Sequence, residues 1–168
     1  MTAAAVLLTL VTLGRLGELW VARRNTAALL ARGAVEVSAG HYPLIVALHT
    51  AWLAALWIYG AGQPINPMWL AVFLALQAAR VWVLMTLGKR WTTRIIVIPG
   101  EQLVARGPYR FVNHPNYLVV IGEIAVLPLC LGLPWIALVF TVLNAAVLTV
   151  RIQAENAGLK KAYRDARA

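Results

Sequence analysis

The residues able to do chemistry in this 168-residue chain gather at a few polar breaks, and the densest is Gly107-Pro108-Tyr109-Arg110-Phe111-Val112-Asn113-His114-Pro115-Asn116-Tyr117. Proline biases the residue before it away from the helical region and suits the first helical position. A helix is therefore predicted to start at Pro115 with His114 as its cap. The imidazole then lies at the positive end of a helix dipole, beside unpaired backbone N–H groups that a carboxylate or phosphate can occupy. A histidine that only caps a helix at an interface fits the same local sequence.

Two further sets stand out. Arg151 and Glu155 lie four apart, on one helical face. Either they form an ordinary ion pair, in the less favourable order for a helix, or they grip a zwitterion, Arg151 taking its carboxylate and Glu155 its amine or hydroxyls. Gln77, Arg80 and Glu123 fall inside apolar segments, where a charge costs about 2.5–3.5 kcal/mol on insertion scales and calls for a partner. Arg80 and Glu123 each lie about two turns from one end of their segments and could pair, as a structural tie or as the lining of a pocket. Arg15 and Glu18 read as snorkelling residues near the end of the first span. His41, His49 and the tryptophans suit anchoring or packing. The single cysteine, Cys130, and the single serine, Ser38, leave no thiol cluster or serine triad. No spacing suggests a metal, a phosphate loop or a dinucleotide fingerprint.

The elements that must position these groups are membrane helices. With 61% of residues hydrophobic and 12% charged, the chain has too little polar surface for a soluble domain. The expected fold is an all-α integral membrane protein with about five transmembrane helices, near 2–22, 42–60, 67–87, 116–131 and 134–151, each crossing with roughly 20 apolar residues or slightly fewer. The last two form a tight helical hairpin around Gly132 and Pro134, and a C-terminal helix follows. One membrane domain covers 1–168, with a three-helix part (1–87) and a C-terminal part (88–168). The first run has no basic leader or cleavage site and reads as a retained helix.

The net charge of +9 reports topology and not a nucleic acid partner. Arg23, Arg24, Arg32, Lys89, Arg90, Arg94, Arg106, Arg110 and the basic tail all fall on one side, whereas 60–66 and 131–134 carry no charge. The positive-inside rule puts the N-terminus outside and the C-terminus in the cytosol, with the His114 junction cytosolic. Between Gly88 and Asn113 the extended run Thr92–Ile98, the Pro99-Gly100 turn and a returning Gln102-Leu103-Val104 suggest a hairpin-like lid.

In order, Leu103-Val104, Gly107-Pro108-Tyr109, His114-Pro115-Asn116-Tyr117 and, after a helical hairpin, Arg151 with Glu155 resemble the isoprenylcysteine carboxyl methyltransferase family. Its C-terminal region reads LV-x-x-G-x-Y, R-H-P-x-Y-x-G and a late R-x-x-x-E-E. The likeness covers roughly the last 80 residues, and the first two spans carry no matching motif. It implies S-adenosyl-L-methionine as cofactor, with S-adenosyl-L-homocysteine as product, bound by Gln102, Leu103, Val104, Gly107, Tyr109, His114, Pro115, Tyr117, Arg151 and Glu155. A lipophilic small molecule would enter laterally from the bilayer of a bacterial inner membrane, to a site facing the cytosol. Membrane lipid is thus a partner, and association with a second copy is left open.

Asn113, Val119 and Asn156 stand where the family has arginine, glycine and a second glutamate, and these departures turn the expectation away from a prenylated cysteine. Arg90-Trp91-Thr92-Thr93-Arg94, His114–Val120 and Gly122-Glu123-Ile124 look like the bacterial branch that O-methylates alkylresorcinols or alkylpyrones. A phenol near pKa 10 gains from a general base, whereas a carboxylate does not need one. Glu123 is the expected base or orienter, His114 the next, and Arg80 the partner of Glu123. The enzymatic alternative is methyl esterification of a prenylated cysteine. The non-enzymatic one is a small transporter or structural membrane subunit held by an Arg80–Glu123 pair.

Overall fold

The computed structural model describes residues 1–37, 40, 42–99, 101 and 104–165, with the side chains of the last helix as far as residue 157. It is helical as expected: α1 (Ala3–Leu30), α2 (Tyr42–Gly60), α3 (Pro67–Leu87), α4 (Pro115–Cys130) and α5 (Pro134–Asp165). Short 3-10 turns at Gly88–Arg90 and Gly107–Arg110 and two strands, β1 (Val35–Glu36) and β2 (Ile96–Val97), lie at one end of the bundle. Helix starts follow the sequence signals. Thr2 accepts from the Ala5 amide, and Asn66 accepts from Met68 and Trp69 ahead of Pro67. His114 occupies the cap position before Pro115, with no side-chain cap bond.

Four helices, α1, α2, α3 and α5, are long and apolar enough to span a membrane. The fifth expected span is shorter. α4 has 16 residues, about 24 Å at 1.5 Å per residue, against a hydrocarbon core of about 30 Å. It is nevertheless the central helix, with nine of its residues buried, and it packs against both α3 and α5. α1 and α5 overrun their expected ends at 22 and 151, so both project past the bundle at its basic end. Leu8, Trp52, Leu56, Phe73, Ile124 and Leu127 form the core. Leu10, Ile58, Leu74, Met85 and Leu138 stay exposed, which suits a lipid-facing surface.

The charge-free end is stitched by short bonds. The Asn66 amide donates to the Cys130 carbonyl at 2.8 Å, and the Thr2 hydroxyl donates to the carbonyl of Ala61. The α4–α5 hairpin turns in three residues, as expected. At Gly122 the helices meet closely, since a Cβ there would lie 2.8 Å from the Leu76 side chain.

At the basic end, Gly100, Gln102 and Leu103 of the expected hairpin-like lid lie outside the described residues. β2 pairs antiparallel with β1, Val35 opposite Val97 and Glu36 opposite Ile96, so its partner comes from the connection between α1 and α2. The pairing is reinforced by Arg94 on the Glu36 carboxylate at 2.9 Å. The β-branched run from Ile95 finds its mate in Val35 and Val37, a second β-branched stretch near the end of α1. Gly107 has φ +56°, and a Cβ there would lie 2.5 Å from Thr86 Oγ1. Gly107→Ala should therefore lower stability in detergent by about 1–2 kcal/mol from backbone conformation alone, plus a steric part. Adding Thr86→Ala should restore only the steric part, a split that thermal unfolding of Gly107→Ala, Thr86→Ala and the double variant measures.

Candidate functional site

Two polar clusters form, one at the basic end and one within the bundle. The first borders a cavity of about 610 Å³, within the usual range for small-molecule sites. The extension of α1 contributes Leu29, the loop after α3 contributes Trp91, Thr92 and Arg94 through Ile98, and the start of α4 and the extension of α5 close the rest.

Tyr117 organises this site. Its phenol accepts from Arg151 Nε at 2.8 Å and donates to the Glu155 carboxylate. Arg151 Nη2 donates to the Thr93 carbonyl at 2.8 Å, and its guanidinium lies over the Tyr117 ring. The His114 ring stacks on that of Tyr117, 5.2 Å between ring centroids, with Nδ1 3.9 Å from Glu155. Arg151 is buried. Arg151 and Glu155 make no direct ion pair among the described residues, because the phenol lies between them. The Thr93 hydroxyl bonds Tyr42 at 3.0 Å, and the Trp91 carbonyl accepts from Asn25 at 2.9 Å. The loop is thereby fastened to α1, α2 and α5 at once.

Of the residues expected to line a cofactor site, Val104, Tyr109, His114, Tyr117, Arg151 and Glu155 do border the cavity. Gly107 and Pro115 do not: the first packs on Thr86, and the second is buried as the opening residue of α4. Gln102 and Leu103, like His41, lie outside the described residues. Trp91 and Asn116 also border the cavity, although the sequence reading gave them no role of their own.

The second cluster is built on α1, α3 and α4. Glu123 Oε1 accepts from Arg80 Nε at 2.7 Å, Gln77 at 2.7 Å and Arg15 at 2.8 Å, and Arg80 Nη2 donates to Oε2. Glu18 accepts from Arg15 at 2.8 Å and from Arg80 at 3.1 Å. Arg15 and Glu18, read as snorkelling residues, are thus the half-buried members of a network whose centre, Arg80 and Glu123, is buried. Two carboxylates meet two guanidiniums and the charges cancel. Helical side chains lean towards the N-terminus of their helix, so on the antiparallel α3 and α4 Arg80 and Glu123 lean towards each other. The signal available in sequence was the sum: four charges within spans, adding to zero. Among the described residues neither Arg80 nor Glu123 borders the cavity, and no group of acidic, histidine and cysteine residues could hold a metal ion.

Each cluster has a measurable consequence. Removing one member of a buried ion pair typically costs about 3–5 kcal/mol. Glu123→Leu should lose that much in unfolding from mixed micelles, and the double substitution Arg80→Leu, Glu123→Leu should lose less, since Arg15 and Glu18 keep each other. At Tyr109, burial and then the Glu155 charge push the phenol up to about 12, against the usual 10. Between those values the folded protein keeps a proton that the unfolded chain has released, so stability falls as pH rises. Tyr109→Phe should flatten part of the fall in thermal midpoint from pH 10 to 12; an unaltered slope would contradict that environment.

Comparison with known proteins places this geometry. The profile of the isoprenylcysteine carboxyl methyltransferase (ICMT) family matches residues 69–161, from the first turn of α3 into the extension of α5. The chain is 38% identical over 162 residues to the uncharacterized protein YpbQ of Bacillus subtilis, covering 93% of this chain and 96% of that protein. It is 26% identical over 155 residues to an uncharacterized protein of Haemophilus influenzae, covering 89% and 90%. No solved structure matches. Because the matched stretch is more than half of the chain and contains the whole Tyr117–Arg151–Glu155 arrangement, this integral membrane protein belongs to the isoprenylcysteine carboxyl methyltransferase family and is a membrane methyltransferase.

Proposed function

We propose that the cavity binds S-adenosyl-L-methionine and that the protein O-methylates a lipophilic phenol or enol of the alkylresorcinol or alkylpyrone class. The observation that carries the cofactor is the separation of Arg151 from Glu155 by the Tyr117 phenol. Opposite charges one helical turn apart would ordinarily neutralise each other. Held apart at the cavity wall, they complement a zwitterion, whose carboxylate takes guanidinium donors while its ammonium goes to Glu155. The methyl donor carries such a group and, when bound, supplies a methyl on a sulfonium for in-line transfer to an oxygen nucleophile.

The chain's own residues then have distinct tasks. Arg151, Tyr117 and Glu155 fix the amino acid end. His114, partly exposed beside Glu155, is the group placed to take the phenolic proton. Glu123, with both carboxylate oxygens occupied by donors, holds α1, α3 and α4 together instead of acting as the base, and Arg80 is its counterion. The basic residues at this end support a cytosolic site at a bacterial inner membrane, with the substrate arriving from the bilayer. The chain would work as one domain, because the network joins its first helix to the matched part. Family membership favours one second reading, methyl esterification of a prenylated cysteine carboxylate, which needs no base.

Calorimetric titration of folded protein in detergent with S-adenosyl-L-homocysteine tests the cofactor. Saturable heat is expected, with Arg151→Gln and Glu155→Gln each at least about tenfold weaker, the loss of a charged hydrogen bond. No response at millimolar ligand would reject this reading. Radiolabelled methyl transfer to an alkylresorcinol and to a farnesylated cysteine then separates the two substrates, and His114→Gln should slow only the first.

A further inference from the structure

The carboxylates at the basic end and in the bundle are engaged: Glu18 and Glu123 hold Arg15 and Arg80, Glu36 holds Arg94, Glu101 holds Arg32 and Arg90, and Glu155 takes the Tyr117 phenol. Arg23, Arg24, Lys89, Arg106 and Arg110 are exposed and meet no carboxylate among the described side chains. Arg23 and Arg24 are consecutive on a helix and so diverge by about 100°. Arg106 and Arg110 instead flank one 3-10 turn, Gly107–Arg110. That turn is seated on the end of α3, where Gly107 packs on Thr86 and Arg106 Nη2 donates to the Thr86 carbonyl at 3.5 Å. One helical turn deeper on α3, Trp82 stands half exposed, as aromatic side chains do at a membrane–water boundary.

Below the arginines the surface is apolar and uncovered. Phe111 is 69% exposed with the Arg110 guanidinium over its ring at 5.2 Å, and Val112 beside it is exposed too. The chain then enters α4, whose exposed residues are Leu118 and Ile121, in its first two turns. Cations above an apolar strip complement an amphiphile with an anionic head. A free phosphate would match the arginines and leave the strip in water, and a second copy seated here would set like charges face to face. We infer that Arg106, Arg110 and Phe111 hold the headgroup of an anionic phospholipid whose chain lies along Leu118 and Ile121. The guanidinium fork donates two parallel hydrogen bonds to a phosphodiester, whereas a zwitterionic lipid brings a cation that the arginines repel. Tyr109, between the two arginines, borders the cavity, so a lipid held here braces that wall from outside. The inference does not depend on which cofactor or substrate the cavity takes.

Native mass spectrometry of the folded full chain in detergent, titrated with phosphatidylglycerol or phosphatidylcholine, reads the first lipid bound. A basic residue at a membrane surface is worth about fivefold in affinity for an anionic lipid, so the wild type should bind phosphatidylglycerol at least about tenfold more tightly than phosphatidylcholine. Arg106→Gln with Arg110→Gln should abolish that preference, and Arg23→Gln with Arg24→Gln, which removes the same charge, should keep it. Equal affinity of the wild type for both lipids would overturn the inference. So would equal losses in the two double variants, which would mean a diffuse field and no site. Displacement of the lipid by millimolar inorganic phosphate would mark a site for a free anion, and a dimer lost on Arg106→Gln with Arg110→Gln would make the occupant a second copy; either overturns the assignment. If the double variant does not fold, Arg106→Gln and Arg110→Gln tested singly should each weaken phosphatidylglycerol about fivefold, and unchanged affinity in both would refute the site.

Discussion

The charge-neutral knot of Arg15, Glu18, Arg80 and Glu123 is the interaction on which the bundle depends. Apolar side chains give membrane helices little preference for one neighbour over another, because lipid tails are as apolar as leucine. Ionised groups do give one: each must find its complement or remain charged in hydrocarbon. By satisfying Glu123 from α1 and α3 together, the network fixes which faces of three helices meet and at what depth. Everything at the basic end inherits that register, since α4 carries Glu123 and, two turns earlier, Tyr117 and His114.

A second constraint acts crosswise. The segment after α3 has little regular structure, yet it is held by four separate elements. The Thr93 carbonyl takes Arg151 of α5, the Thr93 hydroxyl meets Tyr42 of α2, the Trp91 carbonyl takes Asn25 of α1, and β2 pairs with β1. Arg151 therefore serves two masters, the loop and the Tyr117 phenol. The wall of the cavity and the positive group inside it cannot be repositioned independently.

Much of this was legible in the sequence because membrane helices and their starts are local signals. Pro67 and Pro115 mark N-termini, hydropathy marks spans, and the pairing of Arg80 with Glu123 follows from the cost of burying either alone. The misses share another cause. That β2 would pair with Val35-Glu36 depends on how far α1 projects beyond the bundle, a tertiary fact. Arg15 and Glu18 looked peripheral because α1 was expected to end near residue 22, when it runs to Leu30 and leaves both well inside. Gly107, singled out within a polar motif, owes its place to the Thr86 side chain and a left-handed backbone, which only the packed loop reveals.

The shortness of α4 bears on where reaction takes place relative to the lipid. Asn66, the cap of α3, is bonded to Cys130 at the end of α4, so the two helices are level at the charge-free side. α3 has 21 residues and α4 has 16; the difference of five residues is about 7.5 Å at 1.5 Å each. His114 consequently starts its helix recessed within the thickness spanned by α3. Such a mismatch is met by local thinning of the bilayer or by a polar indentation filled with headgroups and water. An amphiphile dwelling in that leaflet would have its polar end near the level of the recess while its chain stays among the acyl tails. Hydrophobic mismatch, ordinarily a strain on a membrane protein, would here set the depth at which two immiscible reactants share a boundary.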